Sequence, residues 1–300
     1  MRNARAEAAG RLEGRHDVRV LEPSPPAVGV PPWFADDPVA GGDVVPLERP
    51  GTRSWAAVCD DEGDDDLLSF CEDRWLVRPS LRPLPASFAE TRRSLHVLAE
   101  HVVAPCRHAS TGRIGLRFTY HGFGTPFFGA DRQVRVEDGA LVDGDRRRAL
   151  TTVGEAGAFL GLVAPAATGV YEPTTPARPD DALPVDPAAA RALGDWFGFS
   201  TSVLEQVRDE ATAGDQPSRV QLWPEHFDVA VDLGPDGARA NFGGSPGDEG
   251  HAEPYLYVGP WERRTGGFWN EDFGASLSYR ELLDGADPLA FLRRGRELLR

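Results

Sequence analysis

The chain has 300 residues, 41% of them hydrophobic and 7 of them tryptophan, enough to bury a sizeable core in one large domain or two small ones. A formal net charge of −15 argues against nucleic acid and anionic membrane as partners, because neutralising phosphate takes clustered cation. No lysine occurs anywhere, which excludes a Schiff base, a pyridoxal phosphate anchor and a phosphate-loop nucleotide site, and leaves acid–base work to His, Asp, Glu, Tyr or Cys.

No apolar run approaches membrane-spanning length, and the basic start (MRNARAEAAGRLEGRHDVRV) lacks the hydrophobic segment of a signal peptide. Cys59, Cys71 and Cys106 fit no metal-ligand spacing, so reduced thiols in a cytoplasmic, soluble protein are expected. Residues 1–50 read as an extended or partly disordered leader, with Trp33 and Phe34 as its docking residues, and residues 51–300 as the body. The run at 60–66 (DDEGDDD) lacks the alternating oxygen ligands of a calcium loop and reads as a solvated acidic loop.

Ser87-Phe-Ala-Glu90 has the form of a capping box and predicts a helix that ends before Pro105. On that helix Phe88, Leu95, Leu98 and Val102 make an apolar stripe with Glu100 nearly opposite. His96 and His101 stand roughly 140° apart around the axis and cannot share a metal, whereas His96 and Glu100 suit a surface hydrogen bond. Residues 112–120 alternate as a strand, and 132–137, Asp138-Gly139 and 140–142 form a hairpin. Between them Gly122-Phe-Gly-Thr-Pro126 lacks the third glycine of a dinucleotide fingerprint, and its glycines are expected to serve a tight turn. Arg113, Arg117 and Arg135 on the flanking strands are candidate ligand-binding residues for a carboxylate or phosphate, with cross-sheet salt bridges as the plainer expectation.

A helix is expected over 152–163, then a Pro-rich connector over 164–187 that offers the best internal boundary. Two helices broken near Gly198 are expected over 187–211, strands at 219–223, 226–233, 238–242 and 254–258, and helices at about 278–284 and 287–299. Each half thus reads helix, antiparallel strands, helix, which predicts an α+β class with antiparallel meanders, helices packed on one face, and two similar halves. Gly243-Gly-Ser245-Pro-Gly247 matches the G-x-S-x-G elbow only in letters, since Pro246 has no N–H to offer an oxyanion.

In 226–233 the period is two. Phe227, Val229, Val231 and Leu233 face the core, while His226, Asp228, Ala230 and Asp232 face away. A turn at Pro235-Asp-Gly237 pairs Leu233 with Ala240 and Val231 with Phe242, and sets Asn241 opposite Asp232. A further strand returns to the same end carrying His251 and Glu253. His226, Asp228 and His251 are therefore the catalytic candidates, for proton transfer or metal assistance. Asn241, Glu253, Trp261 and Trp269 are ligand-binding candidates, and Tyr257, Trp261, Phe268, Trp269 and Phe273 together suit an aromatic wall, with a core beneath a long loop as the plainer expectation.

The strings TRRSLHVLAEHV, TGRIGLRFTYHGFGTPFFG and LWPEHFDVAVDLG resemble a family of soluble bacterial proteins from arginine-rich, high-GC organisms, over approximately residues 85–300. The resemblance implies a single body there and supplies no mechanism. The resulting expectation is a polar pocket at a sheet edge that binds a small molecule or a partner protein, with two alternatives: a small-molecule enzyme centred on His226, Asp228 and His251, or an assembly module.

Overall fold

The computed structural model describes residues 80–119, 121–126, 128 and 132–300. The leader with Trp33 and Phe34, the acidic loop, Cys59 and Cys71 lie outside the described residues.

Among the described residues ten strands form two five-stranded antiparallel meanders. The first runs β1 (Arg117–Thr119), β2 (Gly122–Gly124), β3 (Val134–Glu137), β4 (Ala140–Asp143), β5 (Arg146–Ala149). The second runs β6 (Gln221–Trp223), β7 (Asp228–Leu233), β8 (Ala240–Ser245), β9 (Tyr255–Pro260), β10 (Ala275–Ser278). Leu116 and Leu222 exchange backbone hydrogen bonds of 2.7 and 2.9 Å, so the two meanders meet through their β1 and β6 edges. The class is α+β and the two halves are alike in outline, as the order of elements predicts.

The β3–β4 hairpin turns on Asp138 and Gly139, both at positive φ (50° and 74°), the combination that matches strand twist in a two-residue loop. Gly122 and Gly124 depart from expectation. They lie in β2 rather than in a turn, where side chains would run into the carbonyls of Val136 and Val134 on β3.

The α-helices among the described residues are α1 (Phe88–Leu98), α2 (Ala104–Thr111), α3 (Val153–Leu160), α4 (Pro187–Asp209), α5 (Tyr279–Leu283) and α6 (Pro288–Leu299). Ser87 makes no side-chain cap, so the capping box expected there is not formed. Nor does the helix stop before Pro105. A π-helical turn over Ala99–Val103 carries α1 into α2, and Pro105 sits in the first turn of α2, where its missing N–H leaves no bond unmade. The His101 carbonyl, which an amide at 105 would have met, accepts instead from Ala166 N–H at 3.1 Å.

The expected break near Gly198 is also absent, and α4 is one helix of 23 residues capped by Asp186 on Ala189 N–H at 2.9 Å. A glycine costs a helix about 1 kcal/mol, and burying Trp196, Phe197, Val203, Leu204 and Val207 outweighs that. This helix packs on β1, β2 and β3 of one sheet and on β7 and β8 of the other, so a single hydrophobic core lies under both. None of the described helices is long and apolar enough to cross a membrane.

Candidate functional site

Strand register sorts the second sheet into two faces. Leu222, Val229, Val231, Leu233, Ala240, Phe242, Leu256, Val258 and Leu277 point into the core. The pairings Trp223–Asp228, Asp232–Asn241 and Gly243–Tyr257 put Trp223, Asp228, Ala230, Asp232, Asn241 and Tyr257 on the opposite face. The hairpin register from Val231–Phe242 to Leu233–Ala240 is the one the sequence predicts.

That second face is not simply solvated. It holds a cleft of about 330 Å³ lined by Trp223, Glu225, His226, Asp228, Asn241 and Tyr257, with Ser218, Ala230 and Asp232 completing the wall. Asp228 at its base is only 5% exposed. Its Oδ2 accepts a hydrogen bond from the Tyr257 hydroxyl, while its Oδ1 is buried with no hydrogen-bond partner. Burial pushes the Asp228 carboxyl up to about 6, against the pull of the Tyr257 hydrogen bond and of His226, with Glu225 adding to the rise. Burial and the neighbouring Asp228 likewise hold the Tyr257 phenol well above its ordinary value, so it stays a donor. Gly243 makes the pairing possible: a Cβ there would collide with the Tyr257 ring, which lies across β8 to reach β7.

The rim of the cleft is a four-residue turn rather than the start of a strand. Residues 224–227 turn between β6 and β7, with Phe227 at φ 54° and its N–H donated to Trp223 O at 2.7 Å. The Phe227 ring anchors the strained turn, stacked on His96 at 5.1 Å and edge-on to Phe123 and Phe197. His96 Nε2 lies 3.0 Å from Pro224 O, and the Thr174 hydroxyl donates to Glu225 O at 3.2 Å. Both holders depend on Glu100. Its carboxylate accepts from the backbone N–H groups of Thr174 (2.9 Å) and Thr175 (2.8 Å) and lies 3.7 Å from His96 Nε2. The His96–Glu100 pair is thus beneath the Pro-rich connector, not on the surface: Glu100 is 1% exposed. Burial holds the His96 imidazole below its ordinary value.

His226, Asp228 and Asn241 come together at this cleft, and His251 does not. His251 packs on Tyr255 at 4.6 Å, with Nε2 3.2 Å from Glu271 Oε1, and Tyr255 stands 6.3 Å from Tyr257, so two tyrosines intervene. The loop carrying His251 and Glu253 is held from α1 by Arg92, whose guanidinium donates to the carbonyls of Pro246, Asp248, His251 and Ala252. Ser245 Oγ accepts from Gly247 N–H at 3.1 Å, a turn contact.

Trp261 is 66% exposed with the Arg239 guanidinium 5.4 Å from its ring, and Trp269 packs edge-on against Phe268 at 5.0 Å; neither lines the cleft. Arg135 lies 3.2 Å from Gln133 Oε1 and 3.7 Å from Glu137, and Arg117 pairs in register with Gly124, itself opposite Arg135. Arg113 precedes β1. Among the described residues no group of three or more His, Cys, Asp or Glu is arranged to hold a metal ion.

Trp223 and Glu225 escape a reading of the strand alone. Trp223 becomes visible once its register opposite Asp228 is known, whereas Glu225 depends on a turn with no glycine to announce it. Comparison with family models, with curated proteins and with solved structures gave no match.

Proposed function

We propose that the cleft between β6 and β9 binds a small molecule and that Asp228 is the residue that meets it. The observation that carries this reading is the buried, unpartnered Oδ1 of Asp228 at the base of an aromatic-walled cleft. An unsatisfied buried acceptor destabilises a fold by roughly 1–3 kcal/mol, so a carboxylate kept in that state points to use rather than support. The volume falls at the low end of the roughly 300–1,000 Å³ range of small-molecule sites.

A thermal-shift screen with organic cations, neutral polyols and carboxylates tests the proposal on wild-type protein and Asp228→Asn. At least one class is expected to raise the midpoint of the wild type and leave the variant unmoved. Identical responses of the two proteins across the whole set refute it.

A second reading rests on the titration of the same carboxyl. A buried acid pushed up to about 6, hydrogen-bonded to Tyr257 and with His226 at the rim, is poised for general acid–base catalysis at neutral pH. Cys106 is buried and free, in keeping with the proposed cytoplasmic location.

A further inference from the structure

Three carboxylates lining the cleft each have one buried oxygen with no hydrogen-bond partner, Asp228 Oδ1, Glu225 Oε2 and Asp232 Oδ1, and for the first two no ion pair compensates it. The third, Asp232, is paired with Arg239 and so is already compensated. Among the described residues no arginine lines the cleft. An occupant must therefore bring donors, at least two of them, and it must bring positive charge, because two acids facing one small space leave it strongly negative. A neutral polyol offers donors but no charge, and an anion meets repulsion from both acids. The acids of the cleft and His226 are not arranged, among the described residues, to hold a metal ion. The half-buried Trp223 and the Tyr257 ring supply the aromatic faces that favour a cation stripped of water. The net charge of −15 adds a long-range attraction for the same class of molecule.

We infer that the ligand is a small organic cation, an ammonium or guanidinium head held between Asp228 and Glu225 against the indole of Trp223; this rests on reading the cleft as a small-molecule site. Asn241, on the neighbouring strand and free of side-chain bonds in the described residues, is placed to meet the rest of the molecule.

Calorimetric titration of the full chain in 150 mM NaCl at pH 7.5 tests the inference with butylamine and butylguanidine, using butanol, butyrate and erythritol as matched neutral and anionic probes. The two cations are expected to bind, with affinity falling at least tenfold in Asp228→Asn and in the isosteric Glu225→Gln, while the other three stay silent. Thermal melts of both variants accompany the titrations, so that a folding failure is not read as lost binding. Erythritol or butanol binding that disappears in Asp228→Asn, with the cations silent, overturns the cation and leaves the cleft standing. Cations that bind wild type and both variants equally are adsorbed on the acidic surface and overturn the inference. Silence from all five probes overturns it too, and a flat thermal-shift screen would then remove the cleft reading separately.

Discussion

Asp228→Asn separates a carboxylate kept for binding from one kept for support. Folding raises this acid from its ordinary 3.8 to about 6, so the folded state holds its proton over a window in which the unfolded chain has released it. The sign follows: stability carried by this group is greatest below 3.8, declines as pH rises towards 6 and then levels off. A displacement of about two pK units corresponds to about 3 kcal/mol of lost stability at pH 8, and to only a small part of that at pH 4. Asparagine removes the charge and keeps an oxygen for the Tyr257 hydroxyl, but adds an NH₂ whose own missing partner takes back part of the gain. The variant should therefore be more stable than wild type by on the order of 1–2 kcal/mol at pH 8, a midpoint shift of roughly 2–8 °C, and about equal to it at pH 4. Urea denaturation at the two pH values reads the difference. A variant that loses more than about 1 kcal/mol at both pH values would show Asp228 to be an ordinary structural acceptor, and the functional reading of the cleft would lose its carrier.

Three further outcomes follow from the geometry. Glu100→Ala removes the acceptor of the Thr174 and Thr175 amides and should destabilise by about 2–4 kcal/mol, with new protease cleavage in the 164–187 connector; an uncut connector would sever Glu100 from the cleft rim. Gly243→Ala should push the Tyr257 ring off Asp228, seen as a shifted tyrosine signal in near-ultraviolet difference spectra and a weakened response to any cleft ligand; an unchanged spectrum would mean the ring does not need that space. Glu205→Ala leaves the Arg208 guanidinium buried without the carboxylate now 2.7 Å away and should cost about 3–5 kcal/mol by urea denaturation, whereas Glu205→Ala with Arg208→Leu should recover much of it. Failure of the double variant to recover would assign the loss to packing instead.

The second sheet was legible wherever its chemistry is local. Alternation over 228–233 and the Pro235-Asp-Gly237 turn fix both face and register, and with them the company of Asp228 and Asn241. Elsewhere the competing forces are tertiary. Gly198 reads as a helix break, yet burial of the apolar run around it keeps α4 whole. Pro105 reads as a stop, yet a π-helical turn and a borrowed amide from Ala166 absorb it. Glu100 reads as the solvent side of a helix, but the connector folds over it and brings two N–H groups. The distance between His226 and His251 in the cluster had the same origin: strand order brings their segments to one end, while side-chain packing on Tyr255 and Tyr257 keeps their rings in separate surroundings.

The seam between the meanders has a consequence for how the molecule opens. Among the described residues strand pairing crosses from one half to the other only in the Leu116–Leu222 exchange, so these two amide protons are private reporters of that border. In deuterated solvent, their release at the same rate as the amides of β7 and β8 would mark a body that opens in one piece, whereas earlier release would reveal a hinge along the line where β1 meets β6.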